Sequence, residues 1–130
     1  MTSLSEDTRW LDATAQAELV VAGEAKASEL VEAAIERIEA DDGPINAVVV
    51  RWYDHAREIA EQAAGSGGPF AGVPFLLKDL YAHYEGQVLT NGNVALKEAQ
   101  PVSAGDTTLV SRFRDAGLVT LGRTNSPELG

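Results

Sequence analysis

One lysine closes the most apolar stretch in the second half of the chain: Lys78 follows Val73-Pro74-Phe75-Leu76-Leu77. Such a run reads as a buried strand, and residues at strand ends in α/β proteins project into the crevice where ligands bind. Burial disfavours an ammonium, so a lysine in that position can accept a proton at neutral pH. That is general-base chemistry. The same lysine can also carry its amine into water on its aliphatic stem, and the residue pattern alone leaves both readings open. Asp79 points to the opposite face of the strand, which suits a capping or salt-bridging carboxylate better than a partner for the Lys78 amine. Thr90-Asn91-Gly92-Asn93 has the chemistry of a turn. Thr124 and Asn125 follow the last apolar run, where they can bond a neighbouring loop or act as caps and turn residues. His55 and His83 stand outside any metal spacing such as His-Glu-x-x-His, so no metal ligand is assigned. Trp52, Tyr53, Tyr81 and Tyr84 read as core or pocket wall.

The background to these residues is a chain of 130 residues with a net charge of −10, 45% hydrophobic and 6% aromatic residues, and no cysteine. That length suits one ordinary domain. The missing cysteine excludes a disulfide scaffold, a thiolate nucleophile and Cys-ligated zinc. The excess of carboxylates argues against nucleic acid as a partner, because phosphate binding needs clustered Lys and Arg. No apolar run approaches the roughly 20 residues of a membrane span, and no basic n-region with an apolar stretch marks a secretory signal. The cytoplasm is the expected compartment. Up to Ala64 there are 14 acids against 5 bases; from Gly65 onward there are 6 against 5, with ten of the 12 glycines. Gly65-Ser66-Gly67-Gly68-Pro69 marks the seam between the two halves and reads as a surface loop within one domain.

The positioning elements follow from periodicity. Asp12 caps a helix running to about Val21. Leu30, Val31, Ala34, Ile35 and Ile38 recur at helical spacing beneath a run of surface acids, and Asp41-Asp42-Gly43-Pro44 is expected to end that helix. Ala47-Val48-Val49-Val50 reads as a strand, Asp54 to Ala64 as a helix, and Val73 to Leu77 as a second strand. Asp106 is expected to cap a helix carrying Leu109, Val110 and Phe113, stopped by Gly117. Leu118-Val119-Thr120-Leu121 is the third strand, closed by Gly122. Apolar strands separated by amphipathic helices imply an α/β fold, with the sheet covered on both faces. Three short strands leave exposed sheet edges.

Gly68-Pro69-Phe70-Ala71-Gly72-Val73-Pro74-Phe75-Leu76-Leu77-Lys78-Asp79-Leu80 resembles the lysine-bearing segment of the amidase signature hydrolases. The likeness extends to Glu29-Leu30-Val31 through Arg37-Ile38-Glu39, to Ile45-Asn46-Ala47, and to Asp106 through Leu109-Val110, Arg112, Ala116-Gly117, Leu121-Gly122 and Thr124-Asn125-Ser126-Pro127-Glu128. It covers about Trp10 to the last residue, with three fragments in the right order and spacing. Within the family it resembles the general bacterial amidases and the cyclic amide hydrolases of the nylon-oligomer type.

The resemblance implies the N-terminal part of a mixed, mostly parallel sheet covered by helices, with residues 1–130 forming the first part of one amidase signature domain. It implies hydrolysis of carboxylic amides by a Ser-cisSer-Lys triad, with Lys78 as the triad lysine and no metal or organic cofactor. A small-molecule amide is the implied substrate, and a homodimer is left open for the full-length protein. In the family both serines lie in and after a Gly-Gly-Ser-Ser-Gly-Gly stretch, which this sequence lacks, so the 130 residues are expected to be inactive alone. Thr90, Asn93, Thr124 and Asn125 occupy places that bind substrate or support the site. Two positions depart from the family pattern: Lys26 stands where many members have a Ser or Thr helix cap, and Asn93 where many have serine. Two other readings compete. One is the A subunit of a tRNA-dependent amidotransferase, against which Asn125-Ser126-Pro127-Glu128-Leu129 counts, because that subunit usually has Asn-Met-Asp-Glu-Phe. The other is a non-catalytic binding remnant of the fold, against which the intact Lys78 strand argues.

Overall fold

The computed structural model describes residues 2–130. Among them the order of elements is α1 (Leu4–Asp7), α2 (Ala13–Val21), α3 (Ala27–Ile45), β1 (Val48–Arg51), α4 (Tyr53–Ala64), β2 (Pro74–Lys78), α5 (Val94–Ala99), α6 (Thr108–Asp115) and β3 (Val119–Thr124). The fold is α/β, as expected, with a small mixed sheet of order β1-β3-β2. The pairing of β2 with β3 is parallel and that of β1 with β3 antiparallel.

Helices cover both faces. On one, Val31 and Ile35 of α3 and Ala56 and Ala60 of α4 pack with Val119 and Leu121 of β3 and with Leu76 of β2. On the other, Val110 and Phe113 of α6 pack with Phe75 and Leu77 of β2 and with Trp52 and Tyr84. The side chains of β2 thus alternate between the two cores, as the period of a strand requires. The seam is tied to the turn after α6, because the Phe70 and Gly72 amides donate to the Ala116 and Gly117 carbonyls at 2.9 Å each.

Several boundaries differ from the sequence expectation, each for a local reason. The long helix α3 does not stop at Asp41 to Pro44. It runs to Ile45 with Pro44 inside its last turn, and Asn46 closes it in the left-handed region at φ 53°. The Asp42 carboxylate, buried at the helix end, accepts from the amides of Ala47 at 2.8 Å and Val48 at 3.2 Å and from Arg51 Nη2 at 3.1 Å. The acid expected to break the helix therefore turns the chain from α3 into β1. The α6 cap is Thr107, whose hydroxyl accepts from the Val110 amide, not Asp106. Asp106 instead accepts from the Glu85 amide and from Arg114. Strand β3 continues through Gly122 to Thr124. Two short helices, α1 and α5, carry too little periodicity to read from sequence; Asn93 caps the second by accepting from the Leu96 amide at 3.0 Å.

Lys26 occupies the cap position of α3 without a side-chain cap bond. Two carboxylates compensate: Glu29 accepts from the Lys26 amide at 2.8 Å, and Glu61 of α4 accepts from the Ser28 amide at 3.0 Å. The Ser28 hydrogen bond holds the Glu61 carboxyl below its ordinary range.

Asp42→Ala leaves the Ala47 and Val48 amides without their acceptor. The expected loss of unfolding free energy is about 2 kcal/mol, the usual cost of orphaned buried donors. Urea denaturation of the variant beside the parent measures it, and an unchanged midpoint would remove Asp42 as the hinge of the α3–β1 turn.

Candidate active site

The C-terminal ends of β2 and β3 coincide, because Lys78 and Thr124 are register partners in the parallel ladder. Pairing continues one residue further, where the Asp79 amide donates to the Thr124 carbonyl at 2.9 Å. Lys78 is exposed at this end, and its ammonium enters none of the ion pairs found among the described residues. Alternation sends Lys78 and Leu76 to one face of the strand and Leu77 and Asp79 to the other.

Asp79 is 1% exposed. Its carboxylate accepts from the Thr90 amide at 2.8 Å, from the Thr90 hydroxyl, and from the Gly92 amide at 3.2 Å. It thereby folds the loop Thr90 to Asn93 under the end of β2. Gly92 is required there: its φ is +65°, and a Cβ would lie 2.5 Å from the Ser126 carbonyl oxygen. The loop is stitched to the chain after β3 by the Leu129 amide donating to the Asn91 carbonyl at 2.8 Å. A second stitch is Asn93 Nδ2 donating to Glu128 at 2.8 Å.

Arg123 of β3 is fully buried. Its Nε donates to the Val88 carbonyl at 2.7 Å and its Nη1 to the Lys78 carbonyl at 3.2 Å, while the guanidinium lies 5.3 Å from the centre of the Trp52 ring. Burial pulls this group down to about 10, and the nearby Asp79 works in the opposite direction. Arg123 Nη2 is the one buried side-chain polar atom without a hydrogen-bond partner among the described residues. The register shifts between Phe75 and Leu77. A shift of one residue moves a side chain to the other face, and Arg123 accordingly meets Trp52 instead of joining Val119 and Leu121 in the α3–α4 core. Gly122 permits the close approach of β1, since a Cβ there would lie 2.1 Å from the Val50 carbonyl oxygen.

Comparison with known proteins agrees with this architecture. The sequence profile described as "Amidase" matches residues 29–130. The chain belongs to the amidase family. It is 45% identical over 127 residues to the 6-aminohexanoate-cyclic-dimer hydrolase of Paenarthrobacter ureafaciens, which covers 98% of this chain and 25% of that protein. It is 38% identical over 133 residues to an acylamidase of Rhodococcus erythropolis, covering 96% and 27%. A solved structure of 6-aminohexanoate cyclic dimer hydrolase superimposes with a TM-score of 0.86 at 46% identity, over 93% of this chain and 24% of that one. The chain therefore spans about a quarter of the length of the curated relatives it matches.

Within this amidase fold, the five residues singled out in the sequence gather at one end of the sheet, with different parts to play. Lys78 and Thr124 face each other across the ladder, Thr124 inside β3 and not beyond it. Thr90 is buried against Asp79. Asn93 divides its carboxamide between the α5 cap and Glu128. Asn125 accepts from the Ser126 amide through its side chain and donates its own amide to the Ala47 carbonyl at 2.7 Å. Sequence reasoning gave Asp79 only a capping or pairing role and did not single out Arg123. The one available signal was an arginine two residues past an apolar strand. Of the aromatic residues expected in core or wall, Trp52 and Tyr84 are buried, whereas Tyr81 is 60% exposed and donates its hydroxyl to the Leu129 carbonyl.

His55 is half-buried, its Nε2 lying 3.0 Å from the Tyr84 hydroxyl. Burial and then the Arg114 charge hold its imidazole below the ordinary 6.5, against an opposing pull from Glu58. The folded state thus keeps His55 neutral where the unfolded chain binds a proton. The stability that His55 contributes is fully present above the unfolded value and is lost as pH falls through and below about 6.5. The thermal midpoint is expected to fall between about pH 7.5 and about pH 5, and to fall less in His55→Gln. Equal slopes for the two proteins would exclude His55 as the responsible group.

Proposed function

We propose that these residues are the lysine-bearing, N-terminal part of an amidase that hydrolyses carboxylic amides to a carboxylate and an amine or ammonia. The observation that carries the reading is the position of Lys78: it ends β2 in the open, beside Thr124, on a backbone pinned from below. In the proposed reaction the Lys78 amine takes the proton of a serine held on a cis peptide bond, and that serine takes the proton of a second, nucleophilic serine. The new C–O bond forms as the carbonyl becomes an oxyanion, which backbone amides near the nucleophile would stabilise. Collapse breaks the C–N bond, the proton returns through the bridging serine to the leaving amine, and water releases the acyl group. Both serines belong to the remainder of the domain, which would follow these 130 residues. The similarity to a protein named for 6-aminohexanoate cyclic dimer favours a cyclic amide as substrate, and the similarity to an acylamidase keeps linear amides in view.

The test begins with the intact mass of the polypeptide made by its source cell, expected to be several times the 13.8 kDa of this chain. The purified native-length protein is then assayed for amine release from 6-aminohexanoate cyclic dimer and from linear amides. Lys78→Ala is expected to reduce kcat by about 10²–10⁴-fold, the usual contribution of a positioned base, and residues 1–130 alone to show no turnover. Full activity in Lys78→Ala, or turnover by the isolated 130 residues, would overturn the reading.

A further inference from the structure

We infer that Asp79, through Thr90, and Arg123 are positioning residues that fix the backbone from which the Lys78 amine is presented; the inference rests on the function proposed above. A lysine amine sits on a flexible four-carbon stem, so its placement depends first on the rigidity of its own main chain. Lys78 is the last residue of β2, where a strand has least support from its ladder. Here the main chain is held from three directions. Arg123 Nη1 takes the Lys78 carbonyl at 3.2 Å. The Thr124 carbonyl takes the next amide at 2.9 Å. The Asp79 carboxylate is locked beneath the strand by three donors from Thr90 and Gly92.

Energetics favour a positioning role over a purely stabilising one. Asp79 is 1% and Arg123 0% exposed. Removing such charges from water costs several kcal/mol each, and well-packed apolar residues often stabilise as well or better. Arg123 additionally leaves Nη2 unpaired. What the two groups supply that apolar residues cannot is direction. A guanidinium offers donors in a rigid fork, which here reaches the carbonyls of Lys78 and Val88 together. Asp79→Asn is not equivalent, because the carboxamide nitrogen cannot accept from the Gly92 amide.

The test uses the native-length enzyme, with kcat and KM measured for 6-aminohexanoate cyclic dimer and thermal midpoints recorded for every variant. Thr90→Val keeps the volume and the main-chain bond but removes the hydroxyl donor to Asp79; Thr90→Ser restores that donor. Arg123→Met keeps a long apolar stem without the fork. Thr90→Val and Arg123→Met are expected to lower kcat about 10- to 100-fold, the range for a catalytic group displaced by a fraction of an ångström to an ångström. KM should stay within about twofold and Thr90→Ser should recover most of the loss, the pattern of an interaction felt in the transition state. The inference is overturned if kcat is unchanged in folded Thr90→Val, if the loss lies in KM, or if Thr90→Ser is as impaired as Thr90→Val. Should Arg123→Met fail to fold, the Thr90 pair decides alone. Lys78→Ala separates the two levels. If it retains activity, the assignment of Lys78 as the base is wrong, and the positioning role falls with it; if it is inactive while Thr90→Val is fully active, only the positioning role is lost.

Discussion

The buried carboxylate of Asp79 accepts three hydrogen bonds from the Thr90–Gly92 loop and holds it beneath β2. Everything at that end of the sheet follows from satisfying this charge. An unpaired buried carboxylate would cost several kcal/mol, so Thr90 and Gly92 must turn their donors inward. Their turn places Asn91 and Asn93 where they meet Leu129 and Glu128, and the chain after β3 is held against the chain after β2. The Lys78 main chain is fixed as a consequence of where its neighbour's charge has to go.

The same logic operates at the opposite edge of the sheet. Asp42, also buried, collects the Ala47 and Val48 amides and Arg51. That arrangement turns the longest helix into β1 and sets β1 against β3. The two buried carboxylates thus sit at the ends of α3 and β2, Asp42 collecting the amides that open β1 and Asp79 those of the Thr90–Gly92 loop. The many other acids cover helix surfaces or cap helix ends, as Glu29 and Glu61 do for α3. An N-terminal half with 14 acids and 5 bases thus folds with its acids solvated, paired with Arg9, Arg51 and Arg57, or placed against free amides at the starts of α3 and β1.

Apolar periodicity made the main helices and all three strands legible, and the motif around Lys78 made the family legible, because both are local properties of the chain. The parts that escaped are set by register and by competition between nearby polar groups. Arg123 lies at strand spacing from Leu121 and by plain alternation would share its face; the shift opposite Leu76 turns it to Trp52. Asp106 and Thr107 are both good caps, and the choice falls to Thr107 because Asp106 is taken by Arg114 and the Glu85 amide. Pro44 reads as a breaker, yet α3 runs only one residue past it, to Ile45, before Asn46 supplies the left-handed cap. Thr90 and Asn93 were legible as a turn, but what that turn grips was hidden because Asp79 lies eleven positions before Thr90.

The exposure of Lys78 and the burial of Asp79 and Arg123 divide the site into two layers with different physical demands. The lower layer must be rigid, and hydrogen bonds in a medium that excludes water supply that rigidity against the desolvation of Asp79 and Arg123. On the proposed reading the upper layer must admit a substrate. In these residues the lower layer is complete apart from Arg123 Nη2, while the amine above it faces water. On the proposed reading, the cover over Lys78 comes from the part of the domain that also brings the serines. Water exclusion and the nucleophile would then arrive together, onto a base whose main chain is already set.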